Sequence, residues 1–117
     1  MKFVMLIYQG TAPLPGSEAW KALPEAEQKA IYADYASINK SPNVAPGLPL
    51  GLSGAARTVQ LEDGKLRVKN GPHLAEGLGG YFVLDAETME AAIAFAARVP
   101  AARLGGAVEV RPAEQYW

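Results

Sequence analysis

The sequence predicts an α+β domain on the split βαβ, ferredoxin-like plan, in which one antiparallel sheet carries two helices on one face. Three observations predict it. Strand-like apolar runs open and close the chain, two stretches of helical spacing each follow a strand, and an Asp-Gly step separates two alternating runs near the middle. With 117 residues, half of them hydrophobic, the chain has material for a single domain, 1–117, with its own core.

Residues 2–8, Lys-Phe-Val-Met-Leu-Ile-Tyr, are continuously apolar after the lysine and read as a central strand. Residues 9–16 turn away through two prolines, and Ser17 caps a short turn that carries Trp20 as a lid on the core. A longer helix begins near Pro24, whose missing N–H costs nothing in a first turn, with Glu25 and Glu27 suited to the helix N-terminus. Ile31, Tyr35 and Ile38 give this helix one narrow apolar face, and it stops near Asn39 ahead of Ser41-Pro42.

Residues 41–54 are rich in Pro, Gly and Ser and read as a long loop, a kind of segment that is often functional. Residues 57–61 and 65–69 alternate on either side of Asp63-Gly64, which predicts a hairpin with Lys65, Arg67 and Lys69 on its outward face. Tyr81-Phe82-Val83-Leu84 is a further core strand, with Tyr81 and Phe82 on opposite faces. The second helix is capped by Thr88 or Asp85, buries Met89, Ala92, Ile93, Ala96 and Val99, and is ended by Pro100. Residues 107–111 alternate as the last strand, before Pro112. Two helices cover only one side of such a sheet, so the expected assembly is a homodimer whose bare sheet faces meet.

Composition excludes several classes of function. Eleven basic and twelve acidic residues give a formal net charge of −1, without the basic footprint that nucleic acid or an anionic membrane requires. There is no cysteine, so disulfide and thiolate chemistry are excluded, and one histidine leaves a metal or haem site without a ligand set. No metal and no cofactor are expected. The N-terminal apolar run is too short to span a bilayer, and a cytoplasmic location is expected. Gly77-Leu78-Gly79-Gly80 precedes a strand instead of opening a helix, the wrong context for a phosphate-binding loop.

The segment from Leu61 to Ala86 sets a polar, glycine-bounded loop between two strands, and its centre holds the chain's only histidine. His73 is the side chain whose proton moves most easily near neutral pH. With a carboxylate beside it, an imidazole makes a minimal general acid/base pair, and Glu76 is the local candidate. Tyr35 and Asp34 join this pocket if the first helix faces the loop. Asn70, Arg57 and Tyr81 complete the candidate ligand-binding set, the arginine as a counter-charge for an acidic ligand.

In order and spacing, several pieces of the chain are similar to the YCII-related superfamily, in the branch marked by an Asp-Gly-Pro-Phe motif. They are residues 2–8, Ala56-Arg57-Thr58-Val59, Asp63-Gly64, Gly71-Pro72, Leu78-Gly79-Gly80-Tyr81, Ala96-Ala97-Arg98-Val99-Pro100 and Val108-Glu109-Val110-Arg111-Pro112. The resemblance implies a dimeric α+β barrel of ferredoxin-like subunits and activity on small molecules. Where the branch has Asp-Gly-Pro-Phe, this chain has Asn70-Gly71-Pro72-His73, followed by the shorter Leu74-Ala75-Glu76-Gly77. The better understood relatives pair a histidine on the first helix with an aspartate before a proline at the end of the second. Tyr35 and Val99 stand loosely at those positions here, so the dyad does not carry over.

Two functional readings stay open at this level. One is a cofactor-independent lyase, isomerase or dehydrohalogenase-like enzyme on a small organic acid or cyclic compound, with His73 as proton carrier in a cavity between helix and sheet. The other is a non-catalytic dimer that binds a small ligand or a regulatory partner.

Overall fold

The computed structural model describes residues 1–74 and 77–114. The first strand, β1 (Lys2–Tyr8), alternates buried Phe3, Met5 and Ile7 with half-buried Val4, Leu6 and Tyr8, which accounts for its unbroken apolar run. Ser17 caps α1 (Glu18–Lys21) by accepting from the Trp20 amide at 3.1 Å. Gln28 ties that turn to α2 (Glu25–Lys40), its Nε2 donating to the Trp20 carbonyl at 2.8 Å. As the spacing predicts, α2 buries Ile31 and Ile38, with Tyr35 half-buried between them.

The region read as a loop contains a short strand, β2 (Val44–Pro46), and a 3-10 turn at Ser53–Ala55. Three residues ending in proline carry no alternation to read. At a sheet edge, where one side of the strand needs no partner, a proline is tolerated. The hairpin follows as β3 (Arg57–Glu62) and β4 (Lys65–Asn70), joined through Asp63 at φ 51° and Gly64 at φ 75°. Two successive left-handed residues match the right-handed twist of the strands, which is why Asp-Gly suits this turn.

After the hairpin come β5 (Leu78–Asp85), α3 (Met89–Ala96), α4 (Pro100–Arg103) and β6 (Ala107–Pro112). The main sheet has four strands in the order β2-β5-β1-β6, all neighbours antiparallel. That is the split βαβ arrangement, with α2 and α3 as its two crossover helices. The sequence expectation needs correction on the hairpin: β3 and β4 form a separate two-stranded sheet, and β2 takes the place in the main sheet that the hairpin was expected to fill. Alternation reveals that a strand has an apolar side, but not which element covers it.

The second helix also differs. It stops at Ala96, and Pro100 starts α4 instead of ending α3, in the first-turn position where proline is accommodated. Thr88 caps α3 by accepting from the Ala91 amide at 3.1 Å. Ile93, expected inside, is 55% exposed, because the buried row runs through Met89, Ala92, Ala96 and Val99 with Phe95 beside it. The core lies on the helix-covered face, where Phe3, Met5, Phe82 and Leu84 of the sheet meet Ile38, Ala92, Ala96 and Val99. Across the sheet, Val4, Leu6 and Val83 form a half-buried apolar face with no helix over it among the described residues. At its end the N-terminal ammonium donates to Asp85 Oδ1 at 3.2 Å, and Lys2 pairs with the same carboxylate. That hydrogen bond, the ammonium charge and Lys2 hold the Asp85 carboxyl below the usual carboxylate range. No helix of the described residues is long and apolar enough to cross a membrane.

Candidate functional site

A cavity of about 970 Å³ opens between α2, one end of the main sheet and the segment from Gly47 to Ser53. Its floor is made by Ile7, Gln9, Phe82 and the glycine pair Gly79-Gly80, and its helical wall by Ile31, Tyr35 and Ile38. Trp20 closes one side, stacked edge-on against Tyr32 at 5.2 Å between ring centroids. Leu48, Leu50 and Leu52 form an apolar rim.

The sequence makes this space by leaving side chains out. A Cβ at Gly79 would stand 2.3 Å from Gln9 Nε2, so the Gln9 amide lies flat on bare backbone. At Gly80 a Cβ would make ordinary contact with the Leu48 carbonyl oxygen at 3.8 Å and Pro49 Cα at 4.0 Å, so a methyl fits there and a larger side chain reaches into the cavity. The proline- and glycine-rich segment is hung on the edge of β5, the Leu50 amide donating to the Gly79 carbonyl at 3.0 Å. The Gln9 backbone N–H donates likewise to the Gly77 carbonyl at 3.0 Å.

The lining is mostly apolar, and its residues with polar side chains are Gln9, Asn39, Ser53, Tyr32, Tyr35 and Tyr81. Among the described lining residues there is no carboxylate, histidine, lysine or arginine. Burial pushes the Tyr35 phenol above its ordinary value, while the Ala101 backbone and Arg103 pull it back by less. The same contacts set the Tyr35 phenol beside α4, at the edge of the cavity wall.

Of the described residues singled out from sequence, the structure brings Tyr35 and Tyr81 to the cavity and leaves His73, Asn70, Arg57 and Asp34 elsewhere. His73 is exposed and outside the lining; its carbonyl accepts from Lys69 Nζ at 3.4 Å. Asn70 is exposed at the end of β4. Arg57 is exposed too, its guanidinium donating to the Ala56 carbonyl at 2.8 Å. Asp34 is paired with Arg103 at 3.1 Å, on the rim of α2 facing α4. Glu76 lies outside the described residues. Tyr35 packs on the core cluster to which Val99 belongs.

An exposed histidine with no buried partner contributes little to folding. His73→Ala is expected to change the unfolding free energy in urea by no more than about 0.5 kcal/mol; a loss of several kcal/mol would place the side chain in a structural contact.

Sequence reasoning missed Gln9, Asn39 and the leucine rim. Only the 47–53 composition and the glycine pair signalled them, because the cavity is assembled from segments some seventy residues apart. In comparison with known proteins, the family model for the YCII-related domain matches residues 1–115. No curated protein matches the chain.

Proposed function

The chain belongs to the YCII-related family, and on that premise we propose that it is a cytoplasmic homodimer that binds a small, neutral, largely apolar cyclic molecule in the cavity beneath α2. One observation carries this: a cavity large enough for a drug-sized ligand whose described wall has aromatic rings and amides but no charged side chain. A carboxylate or ammonium drawn into such a place loses its hydration without gaining a counter-charge, which costs several kcal/mol in ordinary circumstances. A ring system instead meets Trp20, Tyr35 and Phe82, and one carbonyl or hydroxyl on it can pair with Gln9, Asn39 or the protonated Tyr35 phenol.

The enzymatic reading draws support from Tyr35 alone, a half-buried phenol that corresponds loosely to the first-helix histidine of the better understood relatives. Its chemistry would be proton donation to a leaving group or an enolate oxygen in a cofactor-independent lyase, isomerase or dehydrohalogenase-like reaction. Tyr35→Phe separates the two readings, since it removes only the hydroxyl. Binding retained with turnover lost marks an enzyme.

The test of the binding reading is a thermal-shift screen of paired compounds, each neutral ring system beside its carboxylated analogue. Neutral compounds are expected to stabilise the protein, by about 2.7 kcal/mol at a hundredfold excess over Kd. Gly80→Val is expected to abolish that shift while the protein stays folded, because its Cβ meets nothing closer than 3.8 Å, its methyls take up cavity volume and valine suits a strand. Tighter binding by the carboxylates, or a shift that survives in Gly80→Val, would overturn the reading.

A further inference from the structure

The hairpin stands away from the body of the molecule with its two faces unlike. The register sets Val59 opposite Val68 and Leu61 opposite Leu66, so four aliphatic side chains share one face. Thr58, Gln60 and Glu62 with Lys65, Arg67 and Lys69 make the other. The aliphatic four are between 57% and 71% exposed, and no element of the described residues covers them. The hairpin's reach shows in the dimensions of the molecule. A single ball of this length has a radius of gyration of about 13 Å, whereas the chain has 16.2 Å and a longest dimension of 53 Å.

A two-stranded hairpin is marginal by itself in water and holds its shape when its apolar face is packed on something. Strands of six residues with well-matched cross-strand pairs are built for such packing. The charge distribution points to the occupant. Residues 57–70 contain four basic and two acidic side chains, whereas the rest of the chain contains seven basic and ten acidic. A positive arm and a negative body belong to the same molecule, and each copy also offers the uncovered apolar sheet face at Val4, Leu6 and Val83. Lys65, Arg67 and Lys69 point away from the aliphatic face, so the opposite charges of arm and body act at long range, steering two copies together, while the aliphatic face makes the contact, and a two-fold axis makes that contact reciprocal.

We propose that the β3–β4 hairpin is a clasp: in the homodimer, which this inference takes from the reading above, the arm of each copy lays Val59, Leu61, Leu66 and Val68 on the body of the second copy. Sheet pairing alone would leave the arms free in solvent. The clasp buries them and makes the dimer depend on residues that have no role in the fold of one chain.

The experiment compares the wild-type chain with Leu61→Glu/Leu66→Glu, an opposed pair near the hairpin tip, by sedimentation across a range of concentrations. The helical circular-dichroism signal and the unfolding midpoint of the body should be unchanged, since neither leucine belongs to the core cluster of its own chain. The dimer dissociation constant should rise at least a hundredfold. In the wild-type chain alone, amide hydrogen exchange across residues 57–70 should be slow in the dimer and accelerate on dilution to monomer. An arm variant that dimerises as tightly as wild type, or arm amides whose exchange ignores dilution, would overturn the clasp and leave the dimer standing. A wild-type chain that is monomeric at about 100 μM would overturn the dimer as well, and the aliphatic face would then serve a different partner.

Discussion

Phe82→Ala is expected to lower the unfolding free energy by about 3–5 kcal/mol, the range for removing a large aromatic side chain from a packed core. Phe82 is 3% exposed and lies on the helix-covered face of β5, level with Met5 of β1 and Pro46 of β2. Its ring meets Phe95 of α3 edge-on, with centroids 6.1 Å apart. It joins three strands and a helix at once, so no single neighbour can relax into the space it leaves. The cavity adjoins it and would widen, which removes the remaining support on that side. Urea unfolding measures the loss. A drop below about 1 kcal/mol would mean that the ring is packed far less tightly than its burial indicates.

The second large effect is expected at Gly10, at the mouth of the cavity. Gly10 has φ 54°, and a Cβ there would stand 2.2 Å from the Gly105 carbonyl oxygen. The obstacle is backbone, and that same carbonyl accepts from the Thr11 amide at 3.1 Å, so it cannot swing aside freely. Gly10→Ala therefore combines a left-handed backbone penalty of about 1–2 kcal/mol with an overlap of about 1–3 kcal/mol. A loss of about 3 kcal/mol is expected. Gly16 is the control: its φ is 88° but nothing lies within 4 Å of its Cβ position, so Gly16→Ala should show the backbone penalty alone. Equal losses at the two positions would show that the Gly10–Gly105 contact yields easily.

The parts of the fold that were legible in the sequence are those with a periodic signature. β1, α2, the hairpin and β6 each announce themselves by an apolar repeat with a stop signal beside it, and each lies within a residue or so of its expected span. β2 was not legible, because three residues ending in Pro46 have neither length nor repeat. The separation of the hairpin from the main sheet was not legible either. Val59, Leu61, Leu66 and Val68 carry the pattern of a half-buried strand, and the pattern is the same whether the cover comes from within the chain or from outside it.

For the site, chemistry was easier to read than place. His73 drew attention as the one imidazole, yet its glycine-bounded loop puts it on the surface, as such loops generally do. Tyr35 and Tyr81 line the cavity, but the facing of their elements toward a pocket was not legible, because spacing gives a helix or strand its apolar side and not what lies across from it. Gln9 and the rim leucines acquire meaning only when the end of β1, the Gly79-Gly80 pair and the 47–53 segment come together, and no local spacing encodes that meeting.

The central position of β1 also bears on how the chain is made. Its two ladder partners lie at Leu78–Asp85 and Ala107–Pro112, so β1 leaves the ribosome well before either strand it pairs with. At roughly 5–20 residues per second, synthesis of the intervening chain takes on the order of 5–20 s, during which Phe3, Met5 and Ile7 have no sheet to join. The hairpin, whose strands are separated only by Asp63-Gly64, can close on the microsecond scale as soon as it emerges. The nascent chain thus carries an early, locally formed arm and a late-closing centre, and its exposure to aggregation during translation is set by the first strand.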